Sequence, residues 1–222
     1  MSVLIVTGIY GPLAHKQDIH NSQFASSLYN VGGTDVQIAA IRHEQNIGHC
    51  NRIRSYFDVL RNLDHTYDTV ILSDFRDVVW QEHPAKIEHS GLDFYCESLT
   101  FARNEWNSDW YCQYFGNDEF LKVRNKAISC SGFVVGTQAR VREYLRLFVK
   151  EIDRLDNPPY NQAIHNYVIH NRNLKYKLVP NGYPVYTVGL EECITVKQHK
   201  IFNNWGDLPI VVHQFDRHVQ VL

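Results

Sequence analysis

The hydrophobic pattern along the first third of the chain predicts alternating strands and helices. Short continuous apolar runs are typical of buried strands, and they lie at 2–8, 35–41 and 70–72. Between these runs, apolar residues recur at helical spacing over 21–30, which Gly32 and Gly33 follow, and over 51–63. The order strand, helix, strand, helix, strand is typical of a mostly parallel sheet covered by helices. We therefore expect an α/β fold.

The pattern after residue 81 predicts a second set of elements. Strand-like segments lie at 92–98, 128–137, 176–180, 193–197 and 208–215. An amphipathic helix is predicted over 141–155 and a second helix over 160–170, whereas the aromatic and polar segment 101–117 has no period and is predicted to be an irregular lobe. Because no internal repeat and no Ser/Gly linker interrupts the chain, we expect one compact domain.

Composition and charge exclude several classes of protein. The 222 residues are 44% hydrophobic and 21% charged, as in ordinary globular proteins, and the net charge of −2 without a dense basic block argues against a general nucleic-acid binder. No segment approaches the roughly 18 apolar residues of a membrane span, and the N-terminus is predicted to be a core strand rather than a signal peptide. Five widely spaced cysteines without a CxxC pair predict reduced thiols in a cytosol-like compartment.

Charged residues interrupt the apolar pattern directly after the third predicted strand. Asp74, Arg76 and Asp77 stand between the apolar runs 70–72 and 78–80. In open α/β sheets, ligands bind beyond the carboxyl ends of the strands, and two carboxylates there suit Mg²⁺ or Mn²⁺. The alternative is that Asp74 caps a turn and Asp77 pairs with a surface cation; spacing alone leaves both open.

Six short stretches of the chain resemble, in their order, a known enzyme family. They are VTGIYG, NRIRSYFDVL, SDFRDVVWQ, ISCSGFVVG, YNQAIHNYVIH and VVHQFDRH. This arrangement resembles the GT-A nucleotide-diphospho-sugar glycosyltransferases, especially retaining enzymes of the glycogenin-like type and the small glycosyltransferase domains encoded by large algal viruses. The resemblance implies a single Rossmann-like GT-A domain over 1–222, with a nucleotide-binding half at 1–81 and a sugar and acceptor half at 82–222.

The resemblance implies a metal site. In the family, an acidic DxD motif and a late histidine hold the metal that binds the donor diphosphate. Asp77 matches the second acid, because Val78 and Val79 follow it as in the family, and His213 matches the histidine. Asp74 or the Phe75 backbone would lie by the ribose, although Phe75 stands where the first acid of a strict DxD would be. The implied cofactor is Mn²⁺ or Mg²⁺; a structural role for His213 is the alternative.

Residues for the donor nucleotide are implied at the end of the first strand. Thr7, Gly8 and Tyr10 match the place where the family seats uracil and ribose, with Gly8 permitting close backbone approach and Tyr10 offering a flat face. Core packing is an equal interpretation for Tyr10. Arg54 is a candidate to stabilise the diphosphate and Arg76 to orient the acids or the sugar; surface ion pairs are the alternative for both.

Residues for the sugar follow from two later stretches. Ser131 and Gly132 fall in the segment that lines the sugar pocket in the family, and Gly132 would leave room for the sugar ring. Asn161 and Gln162 fall where many relatives have Asp-Gln, and an amide cannot act as a carboxylate nucleophile. For a retaining enzyme we therefore expect front-face transfer, in which the leaving phosphate takes the acceptor's proton and Gln162 positions the donor.

The segment predicted to be irregular contributes candidate acceptor contacts. Glu97, just before it, and Asp109 are acids that could hold acceptor hydroxyls. Aromatic side chains that could stack on sugar faces are Trp106, Trp110, Tyr111 and Tyr114. Solvent exposure of the acids and core packing of the aromatics are the alternatives.

These observations favour a metal-dependent glycosyltransferase that moves a hexose or deoxyhexose from a nucleoside-diphosphate sugar, with UDP favoured, to a glycan or glycoprotein acceptor. Asp77, Gln162 and Arg54 would then serve catalysis. The expected location is the cytoplasm, including a host cytoplasm for a virus-encoded protein. The alternatives are a non-catalytic nucleotide-sugar or glycan-binding domain and a metal-dependent phosphohydrolase; the latter is disfavoured because the first strand does not end in a nucleophilic Asp.

Overall fold

The computed structural model describes residues 1–10, 22–43, 48–156, 158–189, 192 and 194–217. The helices are α1 (Gln23–Asn30), α2 (Gly48–Arg61), α3 (Glu105–Val123), α4 (Gln138–Arg154) and α5 (Asn161–Asn171). The longer strands are β1 (Val3–Tyr10), β2 (Gln37–His43), β3 (Thr69–Ser73), β5 (Leu92–Thr100) and β6 (Ala127–Gly136). The strands of three residues are β4 (Val78–Trp80), β7 (Lys177–Val179), β8 (Val185–Thr187), β9 (Thr195–Lys197), β10 (Lys200–Phe202) and β11 (Val211–His213).

Six strands form the central sheet in the order β2-β1-β3-β6-β5-β7. Strands β2, β1 and β3 are parallel to one another and β5 is parallel to β7, whereas β6 runs antiparallel to both of its neighbours. This arrangement confirms the predicted α/β class with a mostly parallel central sheet flanked by helices.

Alternate residues of the central strands enter two different cores. In β1, Leu4 and Val6 pack with α2, α4 and α5 on one face of the sheet. Val3 and Ile5 pack on the other face with α1 and with a small second sheet. Successive side chains of a strand point to opposite faces, and both faces of this sheet are covered. The continuous apolar runs in the sequence follow from that double burial.

The second sheet pairs β11, near the end of the described chain, with β4, which directly follows the acidic segment. It has the order β4-β11-β8, with β11 antiparallel to β4 and parallel to β8. The β9 and β10 strands form a separate antiparallel hairpin. In the β4–β11 pair, His213 lies opposite Val78. This register places the last residue of β11 beside the acidic segment that precedes β4.

The prediction of an irregular lobe over 101–117 is wrong, because most of that segment belongs to α3. The helix begins after Asn104, whose side-chain oxygen accepts a hydrogen bond from the Asn107 amide at 3.0 Å. Within the helix, Gly116 has a positive φ of 80° and interrupts it. Only Asn107, Tyr111 and Val123 are buried, so the sequence carries no continuous apolar stripe that would have predicted the helix.

Side-chain caps begin two of the correctly predicted helices. The Ser22 hydroxyl accepts a hydrogen bond from the Ala25 amide at 3.1 Å at the start of α1. The Thr137 hydroxyl accepts one from the Arg140 amide at 3.4 Å at the start of α4. Such caps satisfy amides that have no partner inside the helix. Among the described helices, none has the length and apolar content needed to cross a membrane.

The fully buried His165 should make the folding stability of the protein depend on pH. The His165 ring lies between the Tyr144 hydroxyl, 2.6 Å from Nδ1, and the Ser129 hydroxyl, 2.9 Å from Nε2. Burial lowers the pKa of His165 to about 3. Above pH 6.5 the imidazole is neutral in both states, but between pH 6.5 and about 3 only the unfolded chain takes up the proton.

We therefore expect the free energy of unfolding to fall by up to about 1.4 kcal/mol per pH unit below pH 6.5 through this group. Urea denaturation at a series of pH values from 7 to 5 measures the slope. His165→Gln should flatten it, whereas a matched change at the exposed His65, His65→Gln, should keep the wild-type slope. Equal slopes for wild type and His165→Gln would contradict the prediction.

Candidate metal site and ligand cleft

The candidate site forms at the sheet edge where β1 and β3 end. After Ser73 the chain leaves the sheet and carries Asp74 and Asp77 before β4 begins. The Asp74 amide donates to the Gly132 carbonyl of β6 at 2.8 Å, and the Gln214 amide donates to the Asp77 carbonyl at 2.7 Å. These backbone bonds attach the acidic segment to β6 on one side and to the end of β11 on the other.

Two carboxylates and one imidazole meet at this edge. The Nε2 atom of His213 lies 3.3 Å from Asp74 Oδ2 and 3.8 Å from Asp77 Oδ1. One ligand atom from each residue lies within 4.8 Å of the others, so the group has the spacing to hold a metal ion. Oxygen donors suit Mg²⁺, Ca²⁺ and Mn²⁺, and the imidazole favours a transition metal. The mixed donor set therefore fits Mn²⁺ better than Mg²⁺.

The His213 ring makes a second contact that the sequence did not predict. Its Nδ1 atom lies 3.5 Å from the Cys130 sulfur, and the ring is completely buried. In the tautomer that carries its proton on Nδ1, the Nε2 lone pair would face the two carboxylates, as metal binding requires. Cys130 therefore contacts the ring nitrogen that does not face the carboxylates.

Gly132 makes room for the cluster itself. A Cβ atom at this position would lie 2.4 Å from His213 Cε1 and 2.6 Å from Asp74 Oδ2. The sequence interpretation had given Gly132 the role of leaving space for a sugar ring. In the structure, the absent side chain allows the imidazole and the carboxylate to approach each other.

We expect Gly132→Ala to separate Asp74 from His213 and to weaken Mn²⁺ binding by at least about tenfold, with a loss of roughly 1–3 kcal/mol in stability from overpacking. Titration calorimetry with Mn²⁺ and urea denaturation measure the two effects. Gly189→Ala is the control, because a Cβ there has an ordinary contact of 3.6 Å with Glu192 Cγ. Wild-type Mn²⁺ affinity in Gly132→Ala would show that the cluster does not bind the ion.

Electrostatics make the two carboxylates unequal. Burial raises the pKa of Asp74, but the Arg52 guanidinium, which is paired with it, and His213 together lower that pKa to about 2. Burial raises the pKa of Asp77 above its usual value, and the charge on Asp74 adds to that effect. Burial opposes a proton on His213, yet Cys130 and the carboxylates raise its pKa. A divalent cation would replace that proton and keep both carboxylates ionised.

Asp74 lines a cleft of about 530 Å³, within the size range of small-molecule sites. Asp77 and His213 are not among the described residues that line it. Asp74 lies in its wall, together with four other residues predicted to bind or position the donor, which are Ser131, Gly132, Asn161 and Gln162. Three residues predicted to contact the acceptor also line it, namely Glu97, Trp106 and Trp110. The wall also contains residues that were not predicted to bind the donor, among them Arg52, His49 and Arg217. Burial lowers the pKa of His49, which favours its neutral form in the cleft.

Gln162 is held by the protein at both ends of its amide. Its Oε1 accepts from the Ser131 amide at 2.8 Å, and its Nε2 donates to the Ser129 carbonyl and to Glu97 Oε1, each at 2.9 Å. Gln162 therefore orients the Glu97 carboxylate, which also lines the cleft. Burial raises the pKa of Glu97. Gln162, which was predicted to position the donor, would therefore do so indirectly, by holding Glu97.

The structure places Arg54 away from the cluster and Arg52 in contact with it. The Arg54 guanidinium pairs with Asp153 of α4 at the surface, which is the alternative left open in the sequence interpretation. Arg52 lies on the same face of α2 as the buried Tyr56, four residues later, and its side chain is 10% exposed. The sequence did contain a signal that Arg52 faces the protein interior. Arg52 stands four residues before Tyr56, and residues four apart share a helix face.

Four other predicted donor residues lie outside the cleft lining: Phe75, Arg76, Thr7 and Gly8. The Phe75 ring packs on Phe24 at 5.2 Å in the core, and Arg76 is exposed and pairs with Asp216 at 3.0 Å. Thr7 and Gly8 are buried inside β1, between β2 and β3. Tyr10 ends β1, and its side chain lies outside the described part of the structure.

Comparison with known proteins assigns no family to the chain. No protein-family model matches it, and no curated protein matches it. The candidate site is therefore interpreted from its own geometry and chemistry.

Proposed function

We propose that the protein is a metal-dependent glycosyltransferase of GT-A type that moves a hexose or deoxyhexose from a nucleoside-diphosphate sugar to an acceptor hydroxyl. Uridine diphosphate is the favoured leaving group. The observation that supports this best is the convergence of Asp74, Asp77 and His213 at the carboxyl edge of the sheet, beside a cleft. Open α/β sheets bind their ligands at this edge.

The donor set supports a diphosphate substrate. Mg²⁺ and Mn²⁺ are commonly held by one or two carboxylates and keep further positions for substrate phosphates. Arg52 and Arg217 line the same cleft and add positive charge near those positions. A bound divalent cation would act as a Lewis acid that stabilises the charge growing on the leaving diphosphate. The arginines would contribute to the same stabilisation through their guanidinium groups.

The amides at Asn161 and Gln162 support transfer without a covalent bond between the sugar and either of these residues. Asn161 cannot act as a carboxylate nucleophile, and the Gln162 amide is bound to Ser129, Ser131 and Glu97. In the proposed step, the bond between the sugar C1 and the phosphate oxygen breaks and the acceptor oxygen bonds to C1. The acceptor's hydroxyl proton passes to the leaving phosphate oxygen. This front-face course retains configuration.

A non-catalytic nucleotide-sugar-binding domain is the second candidate, and the amides at 161 and 162 favour it. A screen of UDP, GDP and ADP sugars with Mn²⁺ separates the two, because only a transferase releases sugar through slow donor hydrolysis. We expect metal-dependent release with one class of nucleotide. Binding without release would indicate the non-catalytic domain, and phosphate release from p-nitrophenyl phosphate would indicate a phosphohydrolase.

Thermal unfolding provides the matching binding test. A ligand at 100 times its Kd adds about 2.7 kcal/mol of stability, which corresponds to a rise in Tm of about 5 to 10 °C for a chain of this size. We expect that rise for UDP with Mn²⁺ together and a smaller one for either alone. No shift with any nucleoside diphosphate would contradict the proposal.

A further inference from the structure

One wall of the cleft is formed by three aromatic side chains, Trp106, Trp110 and Tyr160, which we call the aromatic wall. Trp106 and Trp110 lie one helical turn apart at the start of α3, and Tyr160 immediately precedes α5. Trp110 stacks on Tyr160 with ring centroids 4.6 Å apart and 16° between the planes. Trp106 meets the Trp110 ring at 83°, with centroids 6.2 Å apart.

The aromatic wall is not part of the protein core. Trp106 is 73% exposed and Tyr160 is 38% exposed. The buried residues of α3 are Asn107, Tyr111 and Val123, so the helix is held by other side chains. Large apolar surface left exposed beside a cleft is typical of a ligand site. The same cleft contains Asp74, so a ligand on the aromatic wall and a donor at the metal cluster would share one space.

Polar groups beside the wall have unused hydrogen-bonding capacity. Asn107 and Asn161 both line the cleft and are 6% and 5% exposed. Asn107 Oδ1, an acceptor, and Asn161 Nδ2, a donor, have no hydrogen-bond partner within the described part of the chain. Buried polar atoms almost always have partners, so each exception calls for an explanation. A ligand with several hydroxyls can both donate and accept, and would satisfy both amides after small side-chain rotations.

We propose that the aromatic wall is the acceptor subsite and that the acceptor is a carbohydrate. A pyranose ring has an apolar C–H face that matches the exposed indole of Trp106, and its rim carries hydroxyls that suit Asn107, Asn161 and Glu97. This assignment deepens the proposed transferase activity and rests on it. The donor would occupy the Asp74 end of the cleft and the acceptor sugar the Trp106 end.

The position of the cleft argues against a peptide as the recognised part of the acceptor. Extended peptides are commonly bound by adding a strand to an exposed sheet edge. The edge strands of the central sheet are β2 and β7, and among the described residues neither contributes to the cleft lining. The cleft instead offers flat rings with amide and carboxylate groups around them. Those features recognise a sugar whether it is free or attached to a protein.

The test is saturation-transfer NMR and tryptophan fluorescence with methyl glucoside, galactoside, mannoside and xyloside, each measured with and without Mn²⁺ and UDP. We expect at least one pyranoside to bind through its C–H face and Trp106→Ala to weaken that binding about tenfold. Trp205→Ala is the matched control, because Trp205 is 66% exposed but does not line the cleft. It should bind the same pyranoside as tightly as the wild type.

The outcomes separate this inference from the proposed function. Binding of Mn²⁺ and UDP by the wild type, without pyranoside binding under either condition, would overturn the acceptor subsite alone. Pyranoside binding that Trp106→Ala does not weaken would also overturn it. Pyranoside binding that depends on Trp106, in a protein that binds no nucleoside diphosphate, would support a carbohydrate site and contradict the transferase. A dimer that Trp106→Ala dissociates, with no pyranoside bound, would identify the wall as a subunit contact and overturn the inference.

Discussion

Asp77→Asn is expected to abolish metal-dependent binding of nucleoside diphosphate while leaving the metal-free protein at least as stable as the wild type. Without a cation, the buried Asp77 carboxylate lies near the charge of Asp74, and burial and that charge both raise its pKa. The amide has nearly the same shape and no charge, so the metal-free fold loses the cost of burying the carboxylate, which outweighs the attraction between Asp77 and His213. The metal site loses one of its two carboxylates, and Mn²⁺ affinity should fall at least about 100-fold.

Titration calorimetry with Mn²⁺ and the Tm with and without Mn²⁺ and UDP measure these effects. Asp153→Asn is the control, because Asp153 pairs with Arg54 at the surface and its side chain is 59% exposed. That variant should keep the Mn²⁺ affinity and the nucleotide-dependent rise in Tm. Wild-type Mn²⁺ affinity in Asp77→Asn would remove Asp77 from the site and leave the proposed function without its main support.

Asp74→Ala is expected to have the opposite effect on the metal-free protein. Its carboxylate compensates the Arg52 guanidinium, whose side chain is only 10% exposed. Removing one member of a buried pair leaves the other charge without that partner, which typically costs about 3–5 kcal/mol. Because the Asp74 side chain is 23% exposed, water screens part of this charge and we expect the lower end, about 3 kcal/mol. Mn²⁺ binding should also be lost.

A double variant distinguishes this electrostatic cause from a general loss of packing. Asp74→Ala combined with Arg52→Met removes both charges, so the double variant should regain much of the stability that Asp74→Ala loses, although it still binds no Mn²⁺. Urea denaturation of the four proteins of the cycle at pH 7, without metal, measures the coupling. A double variant no more stable than Asp74→Ala alone would show that the ion pair is not the cause.

Local periodicity was sufficient for the first half of the sheet. The elements from β1 to β3 lie where the apolar spacing predicted them, because each strand is buried on both faces and each helix packs one face on the sheet. The same reasoning failed for α3, which buries few residues along its length. It also missed the short strands β8 and β10.

The candidate site was predictable only in part. Asp74 and Asp77 were recognisable because they interrupt an apolar run, where a charge is unfavourable unless something pairs with it. Arg52 was missed in favour of Arg54, because both lie on one helix and the rotation of α2 against the sheet determines which of them reaches the acids. The contact between Cys130 and His213 left no signal, because the two residues are 83 positions apart in the chain.

The sequence by itself determined the order of strands and helices from β1 to β3 and the strand end at which the acids lie, because both depend on residues close together in the chain. The tertiary structure decided which side chains meet there. The pairing of β11 with β4 brings His213 to Asp77, and the antiparallel pairing of β6 with β3 brings Gly132 to Asp74. Strand register sets these distances, and register depends on backbone hydrogen bonds between segments that no local pattern connects.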